Sequence, residues 1–169
     1  IQFISELLLV VLDKKVVGFD QDYIDDGYAR YDDVEEIGGD LDVELFTAKV
    51  EELKGYILDL EKNYSLVSNY AKQAGQFYTL WSAVALCEEL PSSESFAGKY
   101  SAFMNQVNEL SAQNDIEAFL RNKPQGEYAQ ALKYHTNLKG ASTELAQRAA
   151  RHEVIEALHR EGLLTIRLA

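Results

Sequence analysis

Four groups of side chains have the types and spacings that chemistry requires. Asp20, Asp22, Asp25 and Asp26 stand beside Gly27, an oxygen-rich cluster of the kind that holds calcium. An EF-hand loop places oxygens at its first, third and fifth positions, glycine at the sixth and glutamate at the twelfth. Setting Gly27 at the sixth puts Ile24 at the third and Asp33 at the twelfth, so the register fails and a solvated acidic helix is the preferred reading. Glu156-Ala-Leu-His159 has the Glu-x-x-His form found in di-iron bundles, which need a second such element and two further inward glutamates. The sequence has no second one. His152-Glu153 lacks the second histidine of a zincin helix, because Glu156 stands where it belongs. The fourth group is cationic. Lys139, Arg148, Arg151, His152, His159 and Arg160 lie on or beside one C-terminal helix. Lys139, Arg148, Arg151 and Arg160 are the candidate nucleic-acid contacts. The alternative, which the neighbouring Glu144, Glu153 and Glu156 favour, is a solvated face laced with ion pairs, with Val154, Ile155 and Leu158 turned to the core. No catalytic residues, metal site or cofactor site are expected.

The elements that position these groups read as helices. Ile1, Ile4, Leu8, Val11 and Leu12, with Phe3 and Leu7, mark a helix to about Asp13 that needs partners on nearly every side. Asp20 or Asp22 caps a short second helix ending near Tyr31, and the acidic stretch 32–42 with Gly38-Gly39 reads as a loop. Val43, Phe46, Val50, Leu53, Ile57 and Leu60 form a heptad stripe, with Asp42 as N-cap. A break near Lys62 to Ser65 separates it from a helix over about Val67 to Leu90, which QFYTLWSAVAL marks as central. Ser92 or Ser93 caps the next helix, carrying Phe96, Tyr100, Phe103, Met104, Val107 and Leu110. Shorter helices over Asp115–Arg121 and Glu127–His135 flank Pro124 and Gly126, with His135 expected at an exposed helix end. The last helix runs from about Ser142 to Glu161 and stops at Gly162, and LLTIRLA reads as a short strand with nothing to pair with. The sum is an all-α bundle of about seven helices in a single domain over 1–169. Its apolar opening and unpaired tail suggest a piece of a larger protein.

Composition narrows the function classes. The net charge is −12, which disfavours wrapping a phosphate backbone. The acidity is local, however: residues 13–62 hold 16 acids against 6 bases, whereas residues 121–169 hold 8 bases against 5 acids. Cys87 is the single cysteine, so no internal disulfide can form; it is expected as a small core residue. The initial apolar run is too short to cross a bilayer. A cytoplasmic protein without membrane contact is expected.

FISELLLVVLDKK at 3–15, the acidic-aromatic YIDDGYARYDD at 23–33 and FYTLWSAVAL at 77–86 resemble successive segments of one family. It is the ParB/sulfiredoxin-like family of prokaryotic defence proteins, which includes GmrS-type subunits of modification-dependent restriction systems. Arg148-Ala-Ala-Arg151 before HEVIEALH resembles the family's arginine pair ahead of an apolar run. The resemblance implies that the chain lies downstream of a ParB-like nucleotidase core, whose Asp-Gly-Gln-Gln-Arg type motif this sequence does not contain. It further implies a scaffold or sensing domain of a phage-defence protein with no chemistry of its own. The implied partners are that core, DNA through the last helix, and a second copy of the chain. A free-standing acidic module that binds a basic partner is the alternative.

Overall fold

The computed structural model describes residues 2–31, 41–139 and 142–167, of which 160–167 by backbone alone. The described chain is all-helical, as expected, with nine helices rather than about seven and no strand among those residues. They are α1 (Gln2–Asp13), α2 (Gln21–Tyr31), α3 (Val43–Tyr64), α4 (Leu66–Tyr70), α5 (Ala74–Ala85), α6 (Ser93–Ser111), α7 (Ile116–Arg121), α8 (Ala129–Thr136) and α9 (Leu145–Arg167). None is long and apolar enough to cross a membrane. The expected loop over 32–42 lies mostly outside the described residues.

Capping chemistry sets several boundaries. Asp42 accepts a hydrogen bond from the Leu45 N–H at 2.8 Å and so starts α3. Ser92 does the same for α6 and Asp115 for α7. The break after α3 falls where the poor helix formers predicted it, at Ser65 in the left-handed conformation (φ 51°). Gly126 (φ 85°) makes the left-handed turn between α7 and α8, where any side chain would be strained.

The single helix expected over Val67–Leu90 is instead α4 and α5. Leu66 and Ala71 are buried, and the extended Gln73 interrupts the helix before α5 starts at Ala74. α5 then ends at Ala85, so Cys87 sits half-buried in the following turn and not in the core, its thiol donating to the Glu89 carbonyl. Burial above all pushes that thiol's pKa up, away from reactivity. At the other end, α9 continues through Gly162 to Arg167 in place of a strand. A lone strand leaves its backbone unpaired, whereas a helix satisfies it locally, and one interior glycine costs only ~1 kcal/mol.

α5 is the centre. Tyr78 to Val84 are buried without interruption, because α1, α3 and α9 pack around this helix. α6 lies against α3, α4, α8 and α9, and buries the whole stripe from Phe96 to Leu110. The core is continuous from Leu7 on α1 to Ile155 on α9. α2 packs chiefly on α1, where Gly27 allows close approach: a Cβ there would stand 2.8 Å from a Leu9 methyl. Trp81 joins packing to direction. The residue is 5% exposed, and its indole N–H donates to the Leu7 carbonyl at 2.8 Å, tying α5 to α1. Trp81→Ala is expected to cost about 3–5 kcal/mol by opening a cavity and orphaning that carbonyl; an unchanged urea midpoint would show that Trp81 is not central.

Candidate functional site

α9 turns two of its charged side chains, Arg148 and Arg151, inward. Arg148, Arg151 and Ile155 fall at i, i+3 and i+7, one face of a helix, and all three are buried, Arg151 completely. That face meets α5 and α1. Arg148 Nη2 donates to the carboxylate of Glu6, and both side chains are almost wholly removed from solvent. Arg148 Nη1 donates to the Val17 carbonyl at 3.0 Å, and its guanidinium lies 3.8 Å from the centre of the Tyr78 ring. Tyr78 completes the cluster: its hydroxyl donates to the same Val17 carbonyl and accepts from the Val17 N–H, each at 2.8 Å. Burial raises the phenol's pKa, although the Val17 bond and the Arg148 charge oppose it, so Tyr78 stays neutral.

Arg151 serves the opposite edge of the same face. Its Nε donates to Thr79 Oγ1 at 3.1 Å, Nη1 to the Asn137 carbonyl and Nη2 to the Ser142 carbonyl at 2.8 Å. The Thr79 hydroxyl in turn donates to the Gly75 carbonyl at 3.0 Å. Asn137 caps the C-terminus of α8, where unpaired carbonyls favour a cation. Burial, and after it the Arg148 charge, lower the Arg151 pKa from the ordinary arginine value. Nearby, the linker between α1 and α2 is held by Phe19 N–H donating to the Thr143 carbonyl at 2.9 Å.

No protein-family model, curated protein or solved structure matches the chain. The resemblance to the ParB/sulfiredoxin-like family therefore rests on the short segments quoted for it.

Of the residues expected as nucleic-acid contacts, Arg148 and Arg151 are buried and share no surface with Lys139. Lys139 is exposed, and the Arg160 side chain lies outside the described residues. Arg148 and Arg151 are committed to internal acceptors, and in this arrangement neither reaches a phosphate. Nor do they form the solvated face that their glutamate neighbours suggested, since they share the buried face with Ile155. Among described residues no three His, Cys, Asp or Glu side chains converge. The acidic run beside Gly27 is the helix α2. His135 is buried at 5% exposure and not at an open helix end, because α6 covers it and Ser111 hydrogen-bonds its Nδ1 at 3.0 Å.

Sequence reasoning passed over Glu6, Val17, Tyr78 and Thr79. One signal was available: Glu6 is the only charge inside ten residues of apolar helix, and a buried carboxylate demands a cation.

Two predictions follow from burial. Arg148→Ala strands the Glu6 carboxylate and is expected to lower stability by on the order of 3–5 kcal/mol in urea unfolding, whereas joint replacement by Glu6→Leu and Arg148→Met costs less than the two singles summed. Full additivity would show that the two side chains do not interact. The second concerns pH. His159 stacks on Phe96 at 4.6 Å, and burial, aided by Lys99, drops its pKa to about 4; His135 is lowered too, by burial and then Lys139. A histidine whose folded pKa is depressed contributes stability above its unfolded pKa, near 6.5, and that stability is lost as pH falls through the folded value. The melting temperature is therefore expected to fall between pH 6.5 and about 4, less steeply in His159→Gln; identical slopes would remove His159 from the account.

Proposed function

We propose that this chain is a helical scaffold and assembly domain, with no chemistry of its own, that works in the cytoplasm. The observation that carries the reading is the direction of its arginines. Arg148 and Arg151, the side chains best suited to hold phosphate, are spent on joining α9 to α1, α5 and the end of α8. Their binding capacity goes into the fold. The resemblance adds a context: the helical part of a GmrS-like restriction or phage-defence protein, in which the domain buttresses a ParB-like nucleotidase core. The acidity of residues 13–62 supports protein partners over DNA, since an acidic surface repels phosphate. One observation favours a free-standing interaction module as a second reading. α1 keeps an apolar face that the described helices leave open, with Ile4 60% exposed.

The test is a titration with duplex DNA, plain and base-modified, across a salt series. No salt-sensitive binding is expected, and Arg148→Ala with Arg151→Ala should lower the melting temperature. Salt-sensitive binding that Lys139→Ala with Arg160→Ala abolishes, at unchanged melting temperature, would overturn the scaffold reading in favour of a nucleic-acid contact.

A further inference from the structure

α3, α4 and α5 line a cleft of about 320 Å³. Ile57, Val67, Phe77 and Trp81 give it an apolar floor. Leu58 stands at its rim, 64% exposed although its neighbours in the cleft are covered or partly covered. A leucine so placed leaves apolar surface in water that a partner could remove.

Two charges of opposite sign share that rim. Lys54 and Glu61 both line the cleft, and they bracket Leu58 at i−4 and i+3, so the three side chains lie on one face of α3. Both charges remain available to a partner. Lys54 pairs with Glu51 at 2.7 Å, one turn away on the same helix, and a bridge between two half-exposed side chains contributes little. Glu61 accepts from the Ser68 hydroxyl and from the Ser68 N–H at 2.9 Å. Those bonds, the hydroxyl's first, lower its pKa and hold it as an anion, and they leave carboxylate lone pairs free.

We propose that this cleft is the contact face of a homodimer in which two α3 helices pack antiparallel about a twofold axis. The proposal rests on the scaffold and assembly reading and names the occupant as a second copy of the chain. The spacing of the charges carries it. Lys54 and Glu61 are about 10.5 Å apart along the helix, and the midpoint between them falls beside Leu58. A twofold axis through that midpoint sets Lys54 of each copy opposite Glu61 of the other. The two Leu58 side chains then meet beside the axis, and α3 of each copy covers the cleft of the other. A parallel pairing would set Lys54 against Lys54 and Glu61 against Glu61, so the charges select the antiparallel one. Apolar contact supplies the affinity, and the rim charges fix the register. A partner of one charge sign would meet a like charge for every unlike one, which sets aside nucleic acid and anionic lipid headgroups.

Sedimentation equilibrium of the full chain over a concentration series reads the assembly directly. A monomer–dimer equilibrium is expected. Leu58→Asp enters the interface twice and should weaken the dimer by roughly a hundredfold, tenfold for each copy. Lys54→Glu and Glu61→Lys should each weaken their own dimer, because like charges then face each other across the axis. An equal mixture of those two variants should dimerise again, since every facing pair is opposite in sign. None of the three positions is buried, so circular dichroism should show unchanged helix content. A monomer at every concentration, a dimer that survives Leu58→Asp, or a mixture that stays monomeric overturns the proposal. So does a dimer that Ile4→Asp alone dissolves, which would assign the contact to α1. Duplex DNA in a parallel titration separates the two levels: bound DNA overturns the scaffold reading, whereas a monomer with silent DNA overturns the dimer alone.

Discussion

The structure depends on one ion pair. Glu6 and Arg148 stand 142 positions apart in sequence and meet where almost no water reaches. Burying a carboxylate or a guanidinium alone costs several kcal/mol, so each makes the other's position tolerable. An apolar pair of the same volume could hold the helices as firmly. What the ions add is selectivity: α9 can slide or rotate against α1 only by parting two charges in an apolar medium. Tyr78 and Val17 reinforce that register, since one phenol hydroxyl takes both polar groups of a single linker residue.

Much of the fold was legible because helices announce themselves by period and cap. The stripe from Phe96 to Leu110, the Asp42 and Ser92 caps and the break before Ser65 all follow from local chemistry, and the structure agrees with it. Local chemistry was silent where tertiary packing decided. Nothing in LVSNYAKQAG requires a break after Tyr70. Leu66 on α4 is buried, and the helix restarts only after the extended Gln73. The arginine centre was hidden for a related reason. A face that carries Arg148 and Arg151 among apolar residues reads as the wet side of a helix until Glu6, Thr79 and three carbonyls converge on it. His135 misled in the same way, since its position at the end of α8 says nothing of α6 lying over it.

The two charged regions divide the labour. Arg148 and Arg151 are turned inward and consumed by the fold. Acids near the N-terminal end are turned outward, on a short helix that buries little beyond Ile24 and Gly27. Asp13 is what keeps that helix seated, accepting hydrogen bonds from Tyr23, Arg30 and Tyr31. Burial alone would raise the Asp13 pKa. The donors outweigh it and lower the value, which keeps the carboxylate ionised and the attachment intact.

The threading of the linker has a consequence for how the molecule is born. Val17 is gripped by Tyr78 and by Arg148, 61 and 131 positions later, and Phe19 is bonded to Thr143. A chain leaving the ribosome exposes α1 long before any of these groups has been made. During that interval its contacts with α5 are unmade, and Arg148 is not yet there to pair with Glu6. The native place of α1 is completed only when α9 emerges. Contacts of such long sequence separation slow folding and prolong exposure to aggregation. Nascent α1 is therefore a segment that stays incompletely packed until α9 has been made.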